Sequence, residues 1–537
     1  MLKYFNTIKY LYISQIIQYL IKIPRRYFSV FILNKKKNIP ILNKIKKKNF
    51  YVLKYNNDFD NQIKKKIDKK KINPGRAQSN KLFIYNVNYL NFIFLYPQKK
   101  SIKFIYSWID KNELSSKSIA WEPYPTSLRL VNLIKWSLQN NYTSRKILDS
   151  ILLHSNYLLM NLEYHLRGNH LFSNYKALIF SFIFLKKSCE NKKIKKIYSE
   201  FYKELECQIL NDGGHFEQSP MYHNQFVYDL LDLVQIKKLY KLENKKIKNK
   251  LSKMLYWSKA NSHNNEVSLF NDSCIGIQPN YLDLIKYFRK LKLKLSNKFK
   301  VKKSLFFFRD SGYIIYNNNK YKIIFRSGGI KANYIPAHQH ANTTSIEISN
   351  RYEKIFSNSG ISTYENNALR LKQRGTMFQN TISVNKKNTM EVWKSFRVAT
   401  RPNVKSAITF KNKKVVKFFC EHDGFTDSLF NKIVHKRIIS CYKNYIEIND
   451  SVDGVGKIKL FINFFLENKI NVTKKKNIIF LNKKTINSQI LFQKKATIRV
   501  KNSFINYNYF KKSKNKNIQI QKNINLPYKV KTKIIFK

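Results

Sequence analysis

Between Asp212 and His223 the chain reads DGGHFEQSPMYH, placing Asp212, His215, Glu217 and Tyr222 within twelve positions. Gly213 and Gly214 permit a tight backbone turn, and Ser219-Pro220 reads as a helix N-cap followed by a first helical residue. Tyr222 then falls in that helix's first turn. There, N–H groups that favour developing negative charge would suit a phenol to proton transfer. A loop carrying a solvated tyrosine would have the same composition, so other groups must decide.

Several other stretches offer such groups. Gly168-Asn169-His170 interrupts an apolar run, placing an amide and an imidazole where a helix is broken or begins. Trp121, Tyr124 and Arg129 combine aromatic faces with a guanidinium, which suits sugar rings and carboxylates, although core packing explains the two aromatics as well. In PAHQHANTTS, His338, His340, Asn342 and Thr344 recur at period two, so a strand would project all four from one face. Such a row is costly to bury without partners, and would more naturally line a cleft or bind a metal. Tyr364, Arg370 and Arg374 follow, and the two arginines suggest anion recognition, with structural ion pairs as the alternative.

The elements that must hold these groups change character midway. From about Lys81 to Lys300 the apolar period is helical, as in Ser127 to Leu138, Ile147 to Leu162, Tyr175 to Leu185 and Gln225 to Leu239. After Lys303 the pattern alternates and turns like antiparallel strands, in runs that include Arg437 to Ile448, Lys457 to Leu466 and Ile490 to Val500. An α+β multidomain chain is expected: a basic helical and linker segment over 1–75, a helical domain over 76–302 and a β-sandwich over 303–537. Pro74-Gly75 marks the first boundary, and Lys474 to Asn477 and Lys511 to Asn517 read as solvated loops.

Composition narrows the function classes. The chain has 537 residues and a formal charge of +70, carried mainly by lysines spread along its length amid abundant Asn, Ile, Tyr and Phe. That spread reads as compositional drift; a polyanionic partner is only weakly indicated, and nucleic acid less so, with no ribonucleoprotein, zinc-finger or P-loop signature present. The five cysteines form no CxxC pair and are expected to be buried thiols. Met1 to Ile23 is apolar, but Lys3, Lys9 and Lys22 interrupt it and no small-residue cleavage site follows. An amphipathic helix open to peripheral membrane contact is therefore expected, with neither a span nor a cleavable signal.

Taken together, AWEPYPTSLRLVN, RGNHLFSN, DGGHFEQSPMYH, NDS at Asn271, PAHQHANTTS, NSGISTYE, RGTMFQNT, EVWKSFRVATRP and HDGF at His422 resemble the heparinase II/III-like polysaccharide lyases, including the alginate-lyase-type members. The resemblance runs from about residue 80 to residue 455. It implies an incomplete (α/α) toroid followed by an antiparallel β-sandwich, an active site in the groove between them, and β-elimination on an acidic, uronic-acid polysaccharide. In that reaction a proton α to a carboxylate is removed, so the carboxylate must first be neutralised. Asn169 and His170 match the neutralising position, and Tyr222 and His338 match the residues that share the base and acid roles. Trp121, Tyr124, Arg129, His215, Glu217, Tyr364, Arg370 and Arg374 are the expected substrate-binding residues.

This sequence departs from the family pattern at the metal site. His340 survives, but Asn358 stands at an aspartate position and Gln379 at a histidine position. One imidazole and two amides make a poor Zn²⁺ set, so no cofactor and no tightly held zinc are expected. The erosion also motivates a rival reading, a catalytically silent glycan-binding protein. The resemblance implies a cell-envelope or periplasmic location, while the lack of a clear export signal leaves a cytoplasmic one open.

Overall fold

A computed structural model describes residues 1–35, 48–69, 81–186, 191–299, 304–411, 415–426, 432–492 and 497–537. Pro74-Gly75 and Cys189 lie outside the described residues. The chain opens with α1 (Leu2–Ile8) and α2 (Ile13–Lys35), followed by α3 (Asp58–Asp68), α4 (Lys81–Tyr89) and α5 (Gln98–Lys111). The helical half continues with α6 (Pro123–Asn140), α7 (Arg145–Met160), α8 (Gly168–Phe184), α9 (Lys192–Gln208), α10 (Pro220–Leu239), α11 (Lys245–Ala260) and α12 (Tyr281–Lys290). Local chemistry sets several starts. Ser144 accepts from Ile147 N–H, Ser219 accepts from Tyr222 N–H ahead of Pro220, and Asn280 forms a reciprocal capping box with Asp283. α6, α8 and α10 are buried on most sides, with Lys135 and Lys176 paired to Asp232 and Asp229 between them, and around them packs a core that includes Trp108, Trp121, Trp136, Tyr157 and Tyr175.

From Leu305 the chain is mainly antiparallel sheet, interrupted by the short helix α13 (Ala368–Arg374). A five-stranded meander runs Leu305–Phe308, Tyr313–Asn317, Tyr321–Arg326, Ile346–Asn350 and Lys354–Phe356. An eight-stranded sheet and a four-stranded sheet follow, and the central strands Val434–Cys441, Tyr445–Asp453 and Lys457–Phe465 bury alternate or consecutive apolar residues in one shared core. The run Arg437 to Ile448 is thus two paired strands, with a turn between Cys441 and Tyr445.

Three expectations fail, each for a physical reason. Lys511 to Asn517 is the first half of the strand Lys511–Asn525, paired with Thr497–Asn508. Its Asn515 and Asn517 amides turn inward to Leu466 O and Asn463 Oδ1, which a Lys-Asn composition does not announce. PAHQHANTTS is a looped segment and the next strand starts only at Ile346; turn bonds such as Asn342 N–H to His340 O and Ser345 N–H to Asn342 O replace a ladder. Cys207 is exposed, whereas Cys274, Cys420 and Cys441 are buried.

The two halves meet along the stretch that leads into α10. Gln218 donates to Ser311 O and Gly329 O, Tyr313 Oη donates to Gln218 O, and Asp212 accepts from the Ser311 hydroxyl and N–H. Gly214 has no room for a side chain, because a Cβ there would lie 2.5 Å from Ser311 Cβ. This lock fixes the first turn of α10 against the sheets.

Candidate active site

At that junction lies a cavity of about 530 Å³. Its helical wall carries Asn169, His170, Tyr222, Tyr124 and Gln225, with Tyr85, Tyr89 and Glu122 beside them; its sheet-side wall carries His338, Tyr364 and Phe396. Asn169, His170, Tyr222 and His338, more than 160 residues apart at the extremes, thus share one space.

Each is held by its element. Arg167 (φ 57°) and Gly168 (φ 51°) make the corner that starts α8, so Asn169 and His170 sit in its first turn. His170 Nδ1 lies 3.1 Å from Glu163 Oε1, and its ring packs on Tyr124 with centroids 4.4 Å apart. Burial alone would lower the His170 pKa, but the Glu163 carboxylate outweighs it and raises the pKa. An imidazole whose cationic form Glu163 favours, and an amide, therefore line the cavity at a helix N-terminus, a setting that favours an anion.

In the same cavity Tyr222 lies flat against His338, with centroids 3.7 Å apart and planes 24° apart. Its phenol oxygen is 3.1 Å from that of Tyr364. Burial, reinforced by the Asp272 charge, pushes the Tyr222 phenol well above its ordinary value, so the resting group keeps its proton. Burial also raises Tyr364, helped by its proximity to Tyr222.

Behind this wall lies a fully buried carboxylate, Asp272. Arg370 donates to both of its oxygens, at 2.5 and 2.7 Å, while His338 Nδ1 approaches Oδ2 at 2.9 Å and His340 Nε2 approaches Oδ1 at 2.7 Å. Burial works to raise this carboxyl, yet Arg370 and the two histidines hold it well below the usual range. An ionised Asp272 accepts from Nδ1–H of His338, which fixes the tautomer whose acceptor is Nε2, 3.7 Å from Glu217 Oε2. Burial pushes Glu217 upward.

The remaining expected residues divide. Tyr124 and Tyr364 line the cavity, whereas Trp121 and Arg129 do not. Trp121 is enclosed by Trp108, His154 and Tyr157, and Arg129 is buried with donors on His154 Nε2 and Asn88 O. His215 packs on Phe226 and bonds Gln208, and Arg374 donates to the backbone carbonyls of Gln339, Lys394 and Arg397. These side chains organise loops, while Arg370 reaches the site through Asp272 and through the rings of Tyr364 and Phe396, over which its guanidinium lies at 5.0 and 5.5 Å. Asp272 and Glu163 were not singled out from the sequence; the NDS motif at Asn271 is the signal for the first, and nothing local marks the second.

The eroded metal position does not suit a divalent cation. His340 Nε2 is engaged by Asp272 beside Arg370, and burial lowers its pKa to about 4. Asn358 Oδ1 accepts from Ser345 and Asn380, and Gln379 Nε2 donates to Gln373 O. Among the described residues no group of three or more His, Cys, Asp or Glu side chains is arranged to hold a metal.

Comparison with known proteins gives a consistent picture. Residues 78–293 match the model of the heparinase II/III N-terminus, and residues 300–535 match that of the heparinase II/III-like C-terminal domain. A crystal structure of heparinase III aligns with a TM-score of 0.72 at 16% identity, covering 95% of this chain and 89% of that one. Heparan sulfate lyase from Pedobacter heparinus gives 0.59 at 15%, covering 95% and 87%. Chondroitin AC lyase from Streptomyces coelicolor A3, solved with chondroitin sulphate, gives 0.57 at 6%, covering 89% and 78%. At these identities the likeness is one of fold, a helical N-terminal part followed by antiparallel sheets. No curated protein matches the sequence.

Proposed function

Because this chain belongs to the heparinase II/III family, a family of polysaccharide lyases, we propose that it cleaves a uronic-acid polysaccharide by β-elimination at the cavity between its two halves. The observation that carries this reading is the stacking of Tyr222 on His338 in the cavity that Asn169 and His170 also line.

The substrate carboxylate is received by the Asn169 amide and the His170 imidazolium at the start of α8, which offsets the charge that builds as the α proton leaves. His338 Nε2, the acceptor nitrogen of the tautomer that Asp272 holds through Nδ1–H, takes the C5 proton. The electron pair of the C5–H bond forms the C4=C5 double bond, and the C4–O bond breaks. Tyr222 delivers its proton to the departing glycosidic oxygen. Its high pKa suits a donor that must be neutral at rest, and Tyr364 supports the phenolate left behind. No cofactor enters any step. By kinship the substrate is proposed to be an acidic glycan of the cell envelope.

The test is the ultraviolet absorbance of the unsaturated uronate end, measured with purified protein over a panel of acidic polysaccharides, with Tyr222→Phe as control. A rise with wild type that the variant abolishes supports elimination. Flat absorbance with equal glycan binding by both proteins instead supports the silent binding reading, to which the amides at Asn358 and Gln379 lend some weight.

A further inference from the structure

α2 is packed the wrong way round for a helix that faces water. Apart from Val30 and Leu33, which pack on the core, its protein-facing side is polar: Gln15 donates to His165 O, Arg25 to Leu162 O, Arg26 to Ser118 O and to Tyr157 Oη, and Ser29 accepts from Asn161 Nδ2. Its outward side is apolar. Ile13, Ile17, Leu20, Ile23, Phe28 and Phe31 recur at helical spacing and are 51–77% exposed. α1 continues the patch with Leu2 and Phe5 at 73% and 64%. Among the described residues, sixteen of the 27 exposed large hydrophobic side chains lie within the first 31 positions, far more than scattered surface residues require.

The patch is rimmed by one sign of charge. Residues 1–35 hold six Lys or Arg and no Asp or Glu. Lysine ammoniums lie over its aromatic rings, Lys22 at 3.7 Å from Tyr19 and Lys35 at 4.2 Å from Phe31, as stems that cover apolar surface while their heads stay wet. A second copy of this face would set cation against cation with no acid to pair them. No described helix is long and apolar enough to cross a membrane, and Pro24 lies inside α2. An apolar stripe with a cationic, aromatic rim fits an interface between acyl chains and anionic headgroups.

We propose that the outward face of α1 and α2 docks this protein on an anionic lipid bilayer. The pair is fixed to both halves. α1 is held by Trp393 Nε1–H to Thr7 and by Glu391 to Lys3, and α2 by the loop that carries Leu162 and His165 into Asn169 and His170. The hairpin beneath α1 carries Phe396 to the cavity. A docked molecule therefore holds the loop and the hairpin that carry Asn169, His170 and Phe396 against the docked pair. The inference does not rest on the lyase reading.

The experiment uses the full chain with vesicles of phosphatidylcholine alone or mixed with phosphatidylglycerol. Wild type is expected to co-sediment with the anionic vesicles. The variant Ile17→Asp/Leu20→Asp/Phe28→Asp should bind at least about tenfold more weakly, since three apolar anchors are reversed, at an unchanged thermal midpoint. Leu20→Trp should shift its emission to the blue on the same vesicles. Absence of wild-type binding, or binding that the triple variant retains, overturns the proposal. A solution dimer that the triple variant splits, without vesicle binding, assigns the face to a second copy and overturns it equally. Because no activity is read, these outcomes stand apart from the fate of the lyase mechanism.

Discussion

The phenol oxygens of Tyr222 and Tyr364 lie 3.1 Å apart, although 142 residues separate them in sequence and they belong to opposite halves of the fold. The contact joins the proposed proton donor to a neighbour able to stabilise its conjugate base. Tyr222→Phe keeps the ring on His338 and deletes only the oxygen, so kcat should fall by about 10²- to 10⁴-fold with KM little changed. Tyr364→Phe should cost less, because it touches the donor and not the leaving oxygen. Initial rates of absorbance increase, measured across substrate concentrations, distinguish the two.

The His170–Glu163 pair makes a pH prediction. Glu163 raises His170 above its ordinary value against the opposing effect of burial, so the imidazolium persists in the folded protein at a pH where a free histidine is already losing its proton. The rate should therefore decline on the alkaline side as His170 deprotonates. Glu163→Gln removes the charge but leaves the burial, which should move that limb to lower pH. Stability follows the same signs. The His170 contribution is full below its ordinary value and fades as pH rises through its raised one. The contribution of Glu163, whose pKa the pair lowers despite burial, is full above its ordinary value and fades as pH falls through its lowered one. The stability gap between wild type and Glu163→Gln should thus be widest between about pH 4.5 and 6.5, the ordinary values of the two groups. Urea unfolding across that range measures it.

What was legible in the sequence was what depends on local chemistry. Ser219-Pro220 announced the start of α10, Gly168 the start of α8, and the alternation after Lys303 the sheets. The motifs also named the four residues that the fold gathers at the cavity. What failed depends on distant partners. The period-two row at His338 and His340 suggested a strand, but Asp272 and the surrounding turn bonds hold that segment as a loop while still bringing both imidazoles together. Trp121 and Arg129 have a composition equally suited to sugar binding and to the interior, and the partners that bury them come from α5 and α7. Glu163 is an unremarked acid until α8 turns His170 onto it.

Trp121 and Tyr124 test that division directly. Trp121 is enclosed, so Trp121→Ala should cost about 3–5 kcal/mol of stability while leaving KM near wild type in the folded fraction. Tyr124 lines the cavity and supports His170, so Tyr124→Ala should raise KM or lower kcat with a smaller loss of stability. Thermal unfolding and steady-state kinetics on the same preparations separate the two, and a Trp121 variant with a selective KM defect would contradict its placement in the core.

Asp272 and Arg370 make the last case. Both are fully buried, and each is the other's principal counter-charge. Asp272→Asn keeps the shape but leaves the guanidinium unpaired, which should cost about 3–5 kcal/mol. Combining it with Arg370→Met should recover part of that loss, since the orphaned charge is then gone. Activity should not recover with stability, because His338 still lacks the carboxylate that fixes its tautomer. The depressed Asp272 carboxyl stabilises the fold above its ordinary value and loses that effect as pH falls through its folded value, so the deficit of Asp272→Asn should shrink in acid. Urea unfolding at several pH values, beside kcat at a temperature where all three proteins are folded, measures both. If the double variant regained activity together with stability, Asp272 would be a structural counter-ion alone, and the base role of His338 would need another source for its orientation.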